Sequence, residues 1–184
     1  MINEQKLVQS VSLFLEGLGV NLTDQHFKET PRRVAKAWKE CFGAGYEIDP
    51  RKHLNVAFSD SYDQMIIIKD IPFTSHCGHH IVPFCGHAKI GYLPNDHRIT
   101  GLSKLARVLQ GYAQRLQIQE QLTRQVAEAI DSVLKPKGVG VVLEAEHFCM
   151  TRRGARATGS MTVTSCLLGQ FRNEPETRAE FLNS

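Results

Sequence analysis

Apolar positions in the first twenty residues fall on one helical face. Leu7, Val8, Val11, Phe14, Leu15 and Leu18 recur three and four apart, and Gly17 and Gly19 close the run. A second helix is predicted at "TPRRVAKAWKECF", with Thr30 as N-cap, Pro31 at the first helical position and Gly43 as the stop. Its apolar stripe is Val34, Trp38, Cys41 and Phe42. The two helices make a helical N-terminal region over residues 1–58. The period then changes. "QMIIIKDIPF" and "HAKIGYLP" are rich in β-branched and aromatic residues and bounded by Pro and Gly, so both read as strands. Residues 102–134 return to helical spacing in two phases. Leu102, Leu105, Leu109, Tyr112 and Leu116 form one stripe, and Leu122, Val126, Ala129, Ile130 and Val133 form another. That predicts two helices joined near Gln117–Gln119. "GVGVVLEAEHFCM" and "GSMTVTSCLLGQF" read as two further strands. The order of helices, two strands, two helices and two strands is an α+β pattern with an antiparallel sheet, occupying residues 59–184.

Composition narrows the class. The chain has 184 residues, 42% hydrophobic and 22% charged, which suits one globular domain with a small helical appendage. A net charge of +3 fits attraction to small anions better than the long basic stripe of a nucleic-acid binder. No apolar stretch approaches the roughly 18 residues of a membrane span. The N-terminus lacks the basic region followed by an apolar run that marks a signal peptide. Five cysteines, an odd number, then read as thiols or metal ligands in a reducing cytoplasm.

"SHCGHHIVPFCGH", residues 75–87, concentrates the candidate chemistry. Cys77 and His80 have the C-x-x-H spacing that lets one tight turn wrap two ligands around an ion. His79, adjacent to His80, points elsewhere in most backbone conformations and is a candidate neighbour of substrate. A third ligand is expected from residues 139–149, where period-two alternation places Val139, Val141, Leu143, Ala145, His147 and Cys149 on one strand face. If Cys149 joins Cys77 and His80, the set is Cys₂His with a fourth tetrahedral position left open, which marks a catalytic rather than a structural zinc site. Cys85 and Cys166 read as small core residues. His53, His76, His87 and His97 read as ordinary loop or strand histidines.

"GLSKLARVL" sets Lys104 and Arg107 three apart at a helix start, where free backbone N–H groups also favour anions, and Ser103 adds a hydroxyl. "MTRRGAR" brings Arg152, Arg153 and Arg156 next to Cys149 in sequence. The plain reading of each is a solvated basic face; the sharper one is a polyphosphate site, since the guanidinium fork matches phosphate. Glu120, beside Gln119 at the helix break, is either a solvated carboxylate or a grip on a guanine edge, accepting from ring N–H and exocyclic amine.

The runs "ETPRRVAK", "GLSKLARV", "LQIQEQLT", "EAEHFCMTRRG" and "TRAEFL" together resemble the GTP cyclohydrolase I family over almost the whole chain, most specifically over residues 71–169. The resemblance implies the tunnelling fold, a four-stranded antiparallel sheet with two helices packed on one face, assembled as a toroidal homodecamer with active sites at subunit junctions. It implies zinc on Cys77, His80 and Cys149, with His79 and His147 as acid–base histidines. Gln119 and Glu120 would bind the pterin. Ser103, Lys104, Arg107 and Arg153 would contact ribose and triphosphate, with Arg33 supplied by a neighbouring subunit. The implied reaction is hydrolytic opening of the imidazole ring of GTP, release of formate and rearrangement to 7,8-dihydroneopterin triphosphate. Two positions depart from the family pattern: Gly78 stands where members usually carry Glu, and His87 where they usually carry Lys.

Two rivals stand beside this reading. One is a paralogue of the same fold acting on another purine or pterin. The other is a non-enzymatic binding module stabilised by zinc, which requires a closed fourth coordination position.

Overall fold

The computed structural model describes residues 1–184 except 55, 56 and 60, and only the backbone of 57–59. The N-terminal helices are α1 (Glu4–Gly17) and α2 (Thr30–Ala37). Thr30 is the first helical residue rather than the cap; Glu29 takes the cap position, and its carbonyl accepts the first helical bond from the Arg33 N–H at 3.0 Å. The helix continues as a wider π turn over Trp38–Phe42 and stops at Gly43, as expected. A Cβ there would lie 2.8 Å from the Trp38 carbonyl oxygen, which excludes other residues. Within one chain α1 buries no residue, and Leu13, Phe14 and Leu18 remain exposed. The expected boundary between residues 58 and 59 falls inside a short strand, β1 (Ala57–Ser59), which pairs antiparallel with β4 (Arg98–Thr100).

Between them run β2 (Ile66–Cys77) and β3 (Pro83–Leu93), the two predicted strands extended toward the histidine cluster. The helical stretch breaks where its phase breaks, into α3 (Leu102–Ala113) and α4 (Gln119–Leu134), with a two-residue strand β5 (Leu116–Gln117) between them. Then come β6 (Gly138–His147), a single turn α5 (Phe148–Thr151) and β7 (Thr162–Gly169). The sheet has five strands in the order β5-β2-β3-β6-β7, one more than expected, because the helix-to-helix connection adds β5 parallel to β2. No periodicity marks so short a strand; its ladder pairs Cys77 with Gln117.

One sheet face alternates inward at Ile71, Phe73, Ile90, Tyr92, Val139, Val141 and Leu143, and packs on Leu105, Val108, Leu109, Leu122, Val126 and Ile130 of α3 and α4 as one core. The sheet is curled. Gln117 pairs beside β2, yet Gln119, two residues on, hydrogen-bonds to β6 and β7. Two residues span at most about 7 Å, whereas a flat sheet would put β5 about 14 Å from β6.

β2 and β6 both pair antiparallel with β3, so they run in the same direction and end at the same edge of the sheet. β5 is parallel to β2 and ends there too. Cys77, Gln117 and His147 are the last residues of these three strands.

The sequence reading missed two C-terminal helices, α6 (Gln170–Asn173) and α7 (Pro175–Asn183). Phe171 and Phe181 are fully buried against the paired glycines Gly91 and Gly140, where any side chain on Gly140 would come within 2.6 Å of both rings. Lys89 clasps this end, donating to the carbonyls of Leu182 (3.1 Å) and Ser184 (3.3 Å) and lying over the Phe181 ring. Replacing Phe181 by Ala is expected to cost about 3–5 kcal/mol, read as a lowered urea midpoint. A loss below about 1 kcal/mol would show that the C-terminal helices are not part of the cooperative fold.

Candidate active site at the strand ends

β2 ends in a turn in which the backbone N–H groups of His80 and Ile81 both return to the Cys77 carbonyl, at 3.3 and 2.8 Å. The turn brings His80 back over Cys77. The second half comes from the end of β6, where the structure corrects the expected placement of Cys149. The strand stops at His147, and Cys149 lies in the helical turn α5, not on the strand face. The reason is geometric: continued alternation would carry Cys149 past the sheet edge, whereas one helical turn folds its thiol back toward β2. Cys77, His80 and Cys149 offer ligand atoms that all lie within 4.8 Å of one another.

That set fits zinc. Tetrahedral coordination at ordinary Zn–S and Zn–N lengths asks for ligand atoms about 3.5–4 Å apart, and the donors are soft thiolate and imidazole. Burial, and then the neighbouring Cys77, push the Cys149 thiol up, so a cation is what would let both sulfurs ionise side by side. Among the described residues no fourth Cys, His, Asp or Glu joins the group.

His79 does not join the group; its Nδ1 is 3.8 Å from the Cys77 sulfur and its ring is exposed. His147 is half-buried, stacked on Phe84 with ring centroids 4.5 Å apart and planes 6° from parallel. Burial lowers its pKa, and the Glu120 carboxylate opposes that shift. Its Nε2 lies 2.6 Å from Gln119 Oε1. Gln119 is 1% exposed, and its amide nitrogen contacts Leu143 O, Thr162 O and Thr164 Oγ1. Glu120, next in sequence, is exposed at the start of α4.

Arg153 places Nη1 3.0 Å from His80 Nε2. A guanidinium only donates and a neutral imidazole has one lone pair, so this contact and a metal on His80 exclude each other. A metal on His80 would therefore release the Arg153 guanidinium from this contact.

Four predicted residues stand apart. Ser103, Lys104 and Arg107 occupy the first turns of α3, and the adjoining Thr100 N–H bonds to the Tyr92 hydroxyl at the opposite end of the sheet. The twelve residues of α3 separate that end from β5 by about 18 Å. Arg33 is exposed on α2, outside the sheet. Of the two departures, Gly78 faces open space, with only the Gln117 carbonyl oxygen 3.7 Å from an added Cβ, and His87 is exposed on β3. His76 is less ordinary than expected: its ring sits against Trp38 and Phe42, joining the N-terminal helices to β2.

Phe84, Thr123 and Thr164 were not singled out in the sequence. The four-residue spacing of Gln119 and Thr123 on one helical face was the available signal for Thr123; Phe84 and Thr164 carry none, since strand register alone brings them in.

A model of the GTP cyclohydrolase I family matches residues 7–184. A Streptococcus agalactiae serotype V protein named GTP cyclohydrolase 1 is 46% identical over 183 residues, covering 100% of this chain and 97% of the relative. Proteins of the same name from Pelotomaculum thermopropionicum and Dehalococcoides mccartyi are 48% identical over 180 residues and 49% over 184. They cover 98% and 100% of this chain and 95% and 97% of the relatives. A crystal structure of the archaeosine synthase QueF-Like in the apo form shows a slight likeness, with TM-score 0.49, 13% identity, and coverage of 59% of this chain and 97% of that one.

The division between ligands and their neighbours is open to a direct check. Cys149→Ser should drop zinc well below one per chain, and His147→Ala should keep it. Metal analysis of the two purified variants decides; equal loss in both would make His147 a ligand.

Proposed function

The chain belongs to the GTP cyclohydrolase I family, and we propose that its residues divide the opening of the GTP imidazole ring among three strand ends and a second copy of the chain. The observation that carries the reading is the three-ligand cluster of Cys77, His80 and Cys149 with His147 beside it. Zinc held there supplies the Lewis acidity that makes water a competent nucleophile near neutral pH. Two thiolates would offset much of the metal's charge, so a neighbouring base matters, and exposed His79 beside Cys77 would take the proton that the attacking water gives up as its O–H bond breaks. His147 gives a proton to nitrogen 7 of the purine as carbon 8 is hydrolysed. Formate then leaves, and the opened ribose rearranges and recloses to 7,8-dihydroneopterin triphosphate. Glu120 grips the guanine edge, with Gln119 beneath it, and Arg153 meets the triphosphate.

Ser103, Lys104 and Arg107 reach that triphosphate and ribose from another copy. Their separation from the cluster by the length of α3 is what supports this, as does the exposed apolar face of α1. We read the assembly as the family's toroidal decamer, the single-chain architecture as its tunnelling fold, and Arg33 as a further contact across copies. Residues 1–58 serve as the helical assembly region and 59–184 as the catalytic domain. A cytoplasmic location is the reading that thiolate ligands support, since they need a reducing environment. Among the described residues no helix is long and apolar enough to cross a membrane.

The test is direct. Purified zinc-loaded protein given GTP should release formate and yield a fluorescent pterin after oxidation. Arg153→Ala should lower kcat/KM by roughly 30- to 150-fold, the equivalent of about 2–3 kcal/mol for a charge-assisted contact, with zinc unchanged. Unaltered kinetics in that variant would remove Arg153 from the site. A wild type inert toward GTP but active on another purine would overturn the reading itself.

A further inference from the structure

We propose that the Glu146 carboxylate and the Thr151 hydroxyl latch the helical turn that carries Cys149 to the sheet, and that this latch sets how tightly the chain holds its metal. The inference rests on the reading of Cys149 as a metal ligand and adds two positioning residues that act through it.

α5 needs an external tie. It is four residues long, no side chain caps its start, and one backbone bond spans it, from the Arg152 N–H to the Phe148 carbonyl at 3.0 Å. A first helical turn fixes several dihedrals in return for a single hydrogen bond, so a turn of this length does not hold itself. Nor does an apolar stripe hold it: Met150 is exposed, and Phe148 and Cys149 are half-buried. A further bond, from the Ala157 N–H to the Met150 carbonyl at 3.1 Å, joins the turn to the loop that follows it and not to the sheet.

Thr151 is the one buried residue of the turn, 4% exposed, and it is polar. Its hydroxyl donates to Glu146 Oε1 at 2.7 Å. A buried hydroxyl is costly unless it finds a partner, and a carboxylate is a strong one. Glu146 stands on β6 opposite Cys85 of β3, so the acceptor belongs to the sheet. The bond therefore reaches from the last residues of the strand to the last residue of the turn and closes a loop around Cys149. Arg152 adds a weaker tie, with Nη2 3.5 Å from Glu146 Oε1 and its guanidinium over the Phe148 ring. Its side chain is largely in solvent, where an ion pair contributes little.

The link to the metal is conformational. Cys77 and His80 share one turn at the end of β2, whereas Cys149 joins them only when α5 is in place. A turn that is formed for only part of the time weakens metal binding by the fraction of time it is formed. The latch keeps that fraction near one before any ion arrives.

The experiment measures zinc affinity of the purified full chain by competition with a chromophoric chelator, with the urea midpoint of the zinc-free protein beside it. Thr151→Val, similar in shape but without the hydroxyl, should weaken zinc binding about tenfold, and Thr151→Ser should bring it back to within about twofold of wild type. Glu146→Ala should match Thr151→Val, and the double variant should be no weaker than either, because each single change already breaks the same bond. The zinc-free midpoints should stay near that of wild type, since a single turn at the sheet edge opens locally. Lowered midpoints with zinc affinity unchanged would reduce the pair to a structural contact and overturn the proposal, as would losses that add in the double variant. If Thr151→Val does not fold, Glu146→Gln decides. It keeps an acceptor oxygen and should bind zinc more tightly than Glu146→Ala; equal loss in the two would overturn the latch. Cys149→Ser separates the two readings. Retention of zinc in that variant would sink the metal site itself, whereas its loss there with Thr151→Val unaffected would sink the latch alone.

Discussion

The site depends on strand direction. β2 and β6 are separated by one strand that runs against both, so their carboxyl ends meet at one edge of the sheet. Each is followed by a tight turn that returns a thiol or an imidazole toward the other. About 10 Å separates alternate strands of a sheet, close enough for two turns to share one ion and too far for two straight strands to do so. The core fixes that geometry, because Ile71, Phe73, Val139, Val141 and Leu143 occupy its inner face and any slip by one residue would turn them outward. The hydrophobic register thus fixes where the two strands end, and the turns that follow them bring the candidate ligands together.

The curl of the sheet does the rest. It lets the start of α4, which follows directly from β5 at one sheet edge, lie beneath β6 and β7 at the other. Gln119 thereby meets His147 although 28 residues separate them in sequence. Ser103, Lys104 and Arg107 are carried to the opposite end of the sheet by α3.

Much of this was readable from the residues. Core-facing alternation in β6 and the phase break between α3 and α4 have physical periods, and both appeared where the pattern put them. Cys77 and His80 were legible because a tight turn is a local event. Cys149 was legible as a partner for Cys77 and His80 but not as a helical residue, since four residues of helix leave no period to detect. The same holds for β5 and α6. Phe84 and Thr164 belong to strands whose lateral order is a tertiary fact, and alternation says which face a residue takes but not which neighbour it meets.

The central claim is that two sulfurs and one imidazole hold the metal and leave one position to the reaction. X-ray absorption at the zinc edge of the purified, metal-loaded enzyme tests it most directly. The account predicts two sulfurs at about 2.3 Å and two nitrogen or oxygen neighbours at about 2.0–2.1 Å, only one of them an imidazole. A third sulfur, or a second imidazole completing a closed set, would contradict it.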